Sequence, residues 1–238
     1  MDRIAHLPRN SRVLEIGAAP FGLTFLLRHF VFKDVRATQL TNSSVGSKNL
    51  NQTIWADLVS TEGRRIDNFE VRQFNLEKDP WPYENESFDL IVACEVFEHL
   101  ATDPMHVVCE AGRVLREGGR MFISTPNVMS LWKIDRLFEG LQPNVDPFYR
   151  KSVYNRHNRE LTPHEIKILL KSGGFSVEFI ETVNVKRMVI AKPFRFFLIR
   201  LLAGSIQDRR DIIFAMGRKT APVCNRYPEE YQLYRSKK

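Results

Sequence analysis

Short apolar runs of strand length alternate along this chain with stretches of helical spacing, which predicts βα units building a mostly parallel sheet covered by helices. RVLEIG (residues 12–17) is a branched apolar run ending in glycine, and residues 24–32 are apolar enough for a first helix. DVRATQL (34–40) and FEVRQFN (69–75) are the next candidate strands, the second with Phe69, Val71 and Gln73 alternating against Glu70, Arg72 and Phe74. FDLIVACEV (88–96) is nearly continuously apolar, as a central strand buried on both faces should be. In residues 105–119, Val107, Val108, Ala111, Val114 and Leu115 share one helix face, Gly118 and Gly119 stop the helix, and the MFIST strand (121–125) follows. LTPHEIKILLKSGGF then opens a helix with Thr162 as N-cap, Pro163 first in the helix and Glu165 completing a capping box. FSVEFIETV (175–183) and DIIFAMGRK (211–219) are the last two of seven candidate strands.

Domain organisation follows from the same pattern. No repeat, low-complexity tract or linker interrupts the chain, so residues 1–238 read as one domain. A polar, aromatic and proline-containing stretch at 127–160 reads as an insertion or lid on the substrate side. Residues 191–204 (AKPFRFFLIRLLAG as far as 204) have amphipathic helical spacing with interspersed Arg195 and Arg200, and 220–238 read as a tail.

Composition narrows the class. With 238 residues, 43% of them hydrophobic and 26% charged, the chain can bury a continuous core, which excludes disordered and fibrous readings. Cys94, Cys109 and Cys224 are too few and too odd in number for a disulfide framework, so a reducing compartment is expected. The start has no apolar signal-peptide run, and no stretch reaches the roughly 18 to 20 apolar residues of a membrane span. The expected location is therefore the cytoplasm, with peripheral contact at the inner membrane left open by the amphipathic segment. The net charge of +7 fits an anionic or lipid-linked partner, a solvated basic surface, or nucleic acid, although no nucleic-acid-binding motif is present.

Two segments carry chemistry. VLEIGAAPFG (13–22) is a strand entering a small-residue turn and a helix, a geometry that lets a ligand approach the backbone beyond the strand end. Its alanine at position 19 spoils a dinucleotide GxGxxG, and Glu15 would repel a pyrophosphate while suiting an ammonium group. In FNLEKDPWPYENESFDLIVACEVFEHL (74–100), Glu95, Glu98 and His99 cluster past the end of a buried strand, where a switch-point ligand would lie. No metal-ligand set is expected from these spacings.

Taken together with RVLREGGRMFISTPN (113–127), these segments resemble class I S-adenosylmethionine-dependent methyltransferases over about residues 10 to 219. EHLATDPMHVVCEAGRVLREGG and YNRHNRELTPHEI resemble, more narrowly, the methyltransferases of bacterial polysaccharide and glycan biosynthesis clusters. The resemblance implies a Rossmann-like α/β fold, a seven-stranded mostly parallel sheet with helices on both faces and its last strand antiparallel. It implies S-adenosyl-L-methionine as cofactor, with Glu15, Gly17 and Ala18 at its methionine part, Gln39 replacing the usual acidic residue at the ribose, Asn75 and Leu76 bracketing the adenine, and Cys94 and Glu95 facing the sulfonium region. Ala19 and Phe21 occupy two positions that are usually glycine.

The implied activity is O-methylation of a sugar, glycan or nucleotide-sugar intermediate. Methylation of a quinone or lipid precursor, and a methyltransferase-like binding subunit without catalysis, are the alternatives. A sugar hydroxyl gains from a general base near neutrality, for which His99 and then His157 are the candidates; the competing reading of His99 is a helix-start residue bonded to backbone. Tyr149, Arg150, Tyr154, Arg156 and Arg159 are the candidate acceptor-binding residues, since guanidinium forks suit anions and tyrosines stack on sugar faces. A salt-bridged loop is the bland alternative for the arginines.

Overall fold

In the computed structural model, which describes residues 3–39, 52–143, 153–185, 197, 201, 206–222, 227, 228 and 233, strand β1 (Arg12–Ile16) is central. Parallel neighbours β2 (Asp34–Gln39) and β5 (Phe88–Cys94) flank it, and β4 (Arg65–Gln73) and β6 (Leu115–Pro126) extend the parallel set on either side. Strand β3 (Gln52–Val59) adds an antiparallel edge beside β4, while β8 (Ile212–Lys219) runs antiparallel between β6 and β7 (Phe175–Val183). The order is thus β3-β4-β2-β1-β5-β6-β8-β7. Eight strands replace the expected seven, and antiparallel pairing occurs at both ends of the sheet. The strand missed from sequence is β3, a half-buried edge in which Ile54, Ala56 and Leu58 alternate with exposed Trp55, Asp57 and Val59.

Period-two alternation divides the core. Leu14, Ile16, Ile91 and Ala93 join Val107, Val108 and Ala111 of helix α2 (Pro104–Val114) and Ile166, Leu169 and Leu170 of helix α4 (Pro163–Ser172). Val13, Leu90 and Val92 face the other way, onto Leu27, Val31 and Phe32. β5 is therefore buried on both faces, as its sequence requires. The first helix is a short α1 (Gly22–Leu26) continued by a wider turn over Leu27–Val31. Helix α3 (Leu131–Phe138) lies in the 127–160 segment.

The stop expected at Gly118 and Gly119 falls elsewhere. α2 ends at Val114, and β6 begins at once with Leu115. Between Phe88↔Leu115 and Leu90↔Arg120 the register slips, and Gly118 takes a left-handed φ of 72° within that irregularity. The diglycine therefore serves a bulge inside a strand rather than a helix end. The capping box of α4 forms as expected: Thr162 Oγ1 accepts from the Glu165 N–H, and Glu165 accepts from the Thr162 N–H. Residues 191–204 are described only at the helical Phe197 and Leu201, which are 61% and 69% exposed; the rest of that segment, Cys224 and most of 220–238 lie outside the described residues. Among the described residues, no helix is long and apolar enough to cross a membrane.

Candidate active site

Strand order reverses between β1 and β5, and a cleft of about 460 Å³ opens beyond their carboxyl ends. Its volume lies within the range of small-molecule sites. One wall is the turn after β1. Gly17 there has a φ of 69°, and a Cβ built on it would come 2.6 Å from Val96 Cγ2, so this backbone position accepts only glycine. The bare turn lets a ligand in the cleft approach the backbone closely. Ala19 completes that wall, while Ala18 is buried behind it with its N–H donating to the Thr38 carbonyl at 2.8 Å.

Phe21 caps α1 in the left-handed region, with φ 70°, which explains why a glycine is usual at that position. Its ring is 7% exposed and lies 6.0 Å from the Phe69 ring, so burial compensates for the backbone strain.

Gln39, at the end of β2, lines the cleft where the ribose is expected. After β4, Leu76 provides an apolar surface, and Asn75 is tied into the local turn: its Oδ1 accepts from the Glu77 N–H and its Nδ2 donates to Tyr154 Oη. Glu77 also lines the cleft, and its buried carboxylate accepts the N–H groups of Ala101, Thr102 and Asp103 at 2.9, 2.7 and 2.6 Å. It thereby clamps the segment after β4 to the loop leading into α2. Nothing in the local sequence marks Glu77 for this role, because its partners lie about 25 residues away.

The third wall follows β5. Glu95 takes a φ of 55°, its N–H donates to the Ser124 carbonyl, and its Oε1 accepts from Ser124 Oγ. Burial holds its carboxyl above the usual range, with the Ser124 hydrogen bond opposing. Glu95, Val96, His99 and Leu100 line the cleft; Cys94 does not, and instead packs against the Val13–Val92 side of the sheet, where burial pushes its thiol up to about 12. Glu15 is likewise set back from the lining. Its 3%-exposed carboxylate accepts from Thr24 Oγ1 at 2.6 Å, and burial raises its pKa to about 7. Glu15 therefore ties β1 to α1 beneath the turn.

His99 closes the cleft from a short turn (Phe97–His99). Its Nδ1 lies 3.1 Å from the Arg156 carbonyl oxygen, which can only accept, so Nδ1 carries a proton and, in the neutral ring, Nε2 carries the lone pair. The His157 ring sits edge-on to it with centroids 4.9 Å apart, and its Nδ1 lies 3.1 Å from Glu160 Oε1. Of the expected acceptor residues, Tyr154 lines the cleft together with Asn155. Arg159 is paired with Glu165, and Arg156 Nε donates to Asn158 Oδ1 at 3.0 Å; Tyr149 and Arg150 lie outside the described residues.

Comparison with known proteins agrees with this geometry. A family model described as a methyltransferase domain matches residues 1–178. The "Probable S-adenosylmethionine-dependent methyltransferase" of Mycolicibacterium smegmatis is 35% identical over 114 residues, 48% of this chain and 38% of that protein. The similarly named Rv3030 of Mycobacterium tuberculosis is 35% identical over 111 residues, 47% of this chain and 34% of its own. The match thus spans under two-fifths of the length of these curated relatives. A SAM-dependent methyltransferase from Archaeoglobus fulgidus superposes with a TM-score of 0.54 at 14% identity, covering 92% of this chain and 90% of the other. The YcgJ protein of Bacillus subtilis gives 0.55 at 19% identity, covering 92% and 96%. With its glycine turn at the switch point, the chain belongs to the methyltransferase-domain family.

Proposed function

We propose that the protein methylates a hydroxyl group of a sugar, glycan or nucleotide-sugar intermediate. The observation that carries this reading is the placement of His99: it lines the same cleft as Gly17, Gln39 and Glu95, with its proton held on Nδ1 by the Arg156 carbonyl and its Nε2 left basic. Bound S-adenosylmethionine supplies an electrophilic methyl group on a positively charged sulfur. Gly17 and Ala19 admit its methionine part, Gln39 meets the ribose hydroxyls, and Leu76 covers the adenine. The remaining work is alignment of the acceptor oxygen and removal of its proton, which together account for a large share of the rate.

The 127–160 segment supplies the acceptor side through Tyr154 and Asn155. The glycan class rests on the resemblance of residues 98–119 and 154–166, and the cytoplasmic, membrane-adjacent location rests on composition and the amphipathic pattern at 191–204. Calorimetry with S-adenosylhomocysteine tests the foundation. Saturable 1:1 binding is expected, and no detectable affinity for either this product or the cofactor would favour a non-catalytic binding subunit.

A further inference from the structure

The structure assigns a divalent transition-metal site to Glu98, His99 and His157, at the acceptor end of the cleft. One candidate ligand atom from each residue lies within 4.8 Å of the others. Glu98 is fully buried, its Oε2 accepts from Thr125 Oγ1 at 2.9 Å, and its Oε1 stands 3.9 Å from His99 Nε2. That separation is too long for a hydrogen bond and close to the spacing of two ligands on one ion. With metal–nitrogen bonds of about 2.1 Å, tetrahedral ligands stand about 3.4 Å apart, so closure needs shifts of about 1 Å or less per side chain.

The supporting hydrogen bonds are those of a metal centre. Each histidine has Nδ1 engaged by an acceptor, His99 by the Arg156 carbonyl and His157 by the Glu160 carboxylate. In its neutral form His99 therefore carries its lone pair on Nε2, the atom nearest Glu98 Oε1. Glu160 is in turn ion-paired with Lys133, both side chains being 3% exposed. Metal-ligating histidines almost always have the second nitrogen fixed by a carbonyl or carboxylate in this manner. The neighbouring backbone locks the two segments together: the Asn158 N–H donates to the Glu98 carbonyl and Asn158 Nδ2 to the His99 carbonyl. Two imidazoles and one carboxylate suit zinc, manganese, cobalt or iron in the divalent state, and leave coordination positions open. Of the three, His99 is the one that lines the cleft, which places the proposed ion beside it.

This inference rests on the proposed hydroxyl methylation and changes the part His99 plays in it. A bound cation lowers the pKa of an oxygen it coordinates. The acceptor hydroxyl would then lose its proton to solvent water, its oxygen lone pair would form the new O–CH₃ bond, and the methyl–sulfur bond would break with its electron pair retained on sulfur. His99 becomes a ligand, and no free imidazole base is required.

The test is titration of chelator-treated full-length protein with Mn²⁺ and Zn²⁺ by calorimetry, alongside the visible spectrum with Co²⁺. The expected result is one saturable ion per chain, ligand-field bands for Co²⁺, and at least tenfold weaker binding in His157→Asn and Glu98→Gln, with exposed His6→Asn unchanged. Absence of saturable binding and of Co²⁺ bands in the wild-type protein overturns the site without depending on any variant's folding. Undiminished binding in folded H157N and E98Q overturns it as well. S-adenosylhomocysteine affinity, measured on the same metal-free sample, separates the two readings: if it persists while no ion binds, only the metal site falls. If it is absent, the hydroxyl-methylation role falls.

Discussion

Glu15 places a carboxyl group inside β1 with 3% exposure and one hydrogen bond, from Thr24. Burial raises its pKa from 4.5 to about 7, so the folded chain holds this proton more tightly than the unfolded chain does. The sign follows from linkage: its contribution to stability is fully present below about pH 4.5 and is lost as pH rises through about 7. At about 1.4 kcal/mol per pKa unit, the loss is on the order of 3 kcal/mol. Glu15→Gln keeps an acceptor for Thr24 and has no charge to bury. Urea unfolding at pH 5 and pH 8 should therefore show wild type losing stability relative to E15Q across that interval; parallel profiles would refute the argument. Sequence alone placed Glu15 and Cys94 at the ligand, because a position one residue from a strand end does not reveal which face its side chain takes. Pairing settled it for Cys94, which belongs to the Val13–Val92 face.

At the scale of elements, α4 is held at its start by local chemistry and along its length by packing. Its capping box satisfies backbone donors that the helix cannot, and Ile166, Leu169 and Leu170 bury one face. Thr162→Ala should cost about 1 kcal/mol, read as a lowered urea midpoint with an unchanged slope. A cost below about 0.3 kcal/mol would mean that packing alone sets this helix. Such caps are legible in sequence because they need only four consecutive residues. The end of α2 was not legible: Gly118 and Gly119 signal a break, and only the pairing of β6 with β5 shows that the break is a bulge. β3 escaped notice because an edge strand buries one face only, and Gln52, Thr53 and Asp57 dilute its pattern.

For the whole molecule, the cleft proposed to hold the cofactor joins segments that are distant in the chain, the turns after β1, β2, β4 and β5 together with Tyr154 and Asn155. A ligand filling it should stabilise all of them by mass action. S-adenosylhomocysteine at 100 times its dissociation constant adds about 2.7 kcal/mol, which for a domain of this size raises the thermal midpoint by about 5 to 10 °C. A melt unmoved by saturating product would contradict a preformed site. The basic charge is also redistributed by the fold: Arg3, Arg113, Arg116, Arg120 and Arg159 are each paired with a carboxylate, so they add little to any anion-attracting field. What the sequence by itself determined was the βα alternation, the central β5, the glycine turn and the capping box, because each depends on residues within one or two turns of chain. Only the tertiary structure decided which acidic and basic groups meet. His99 and His157 are separated by 58 positions, and their approach is set by hydrogen bonds from the Asn158 N–H and Nδ2 to the Glu98 and His99 carbonyls. No local period encodes such a contact, since its energy comes from surfaces that exist only once the sheet has formed.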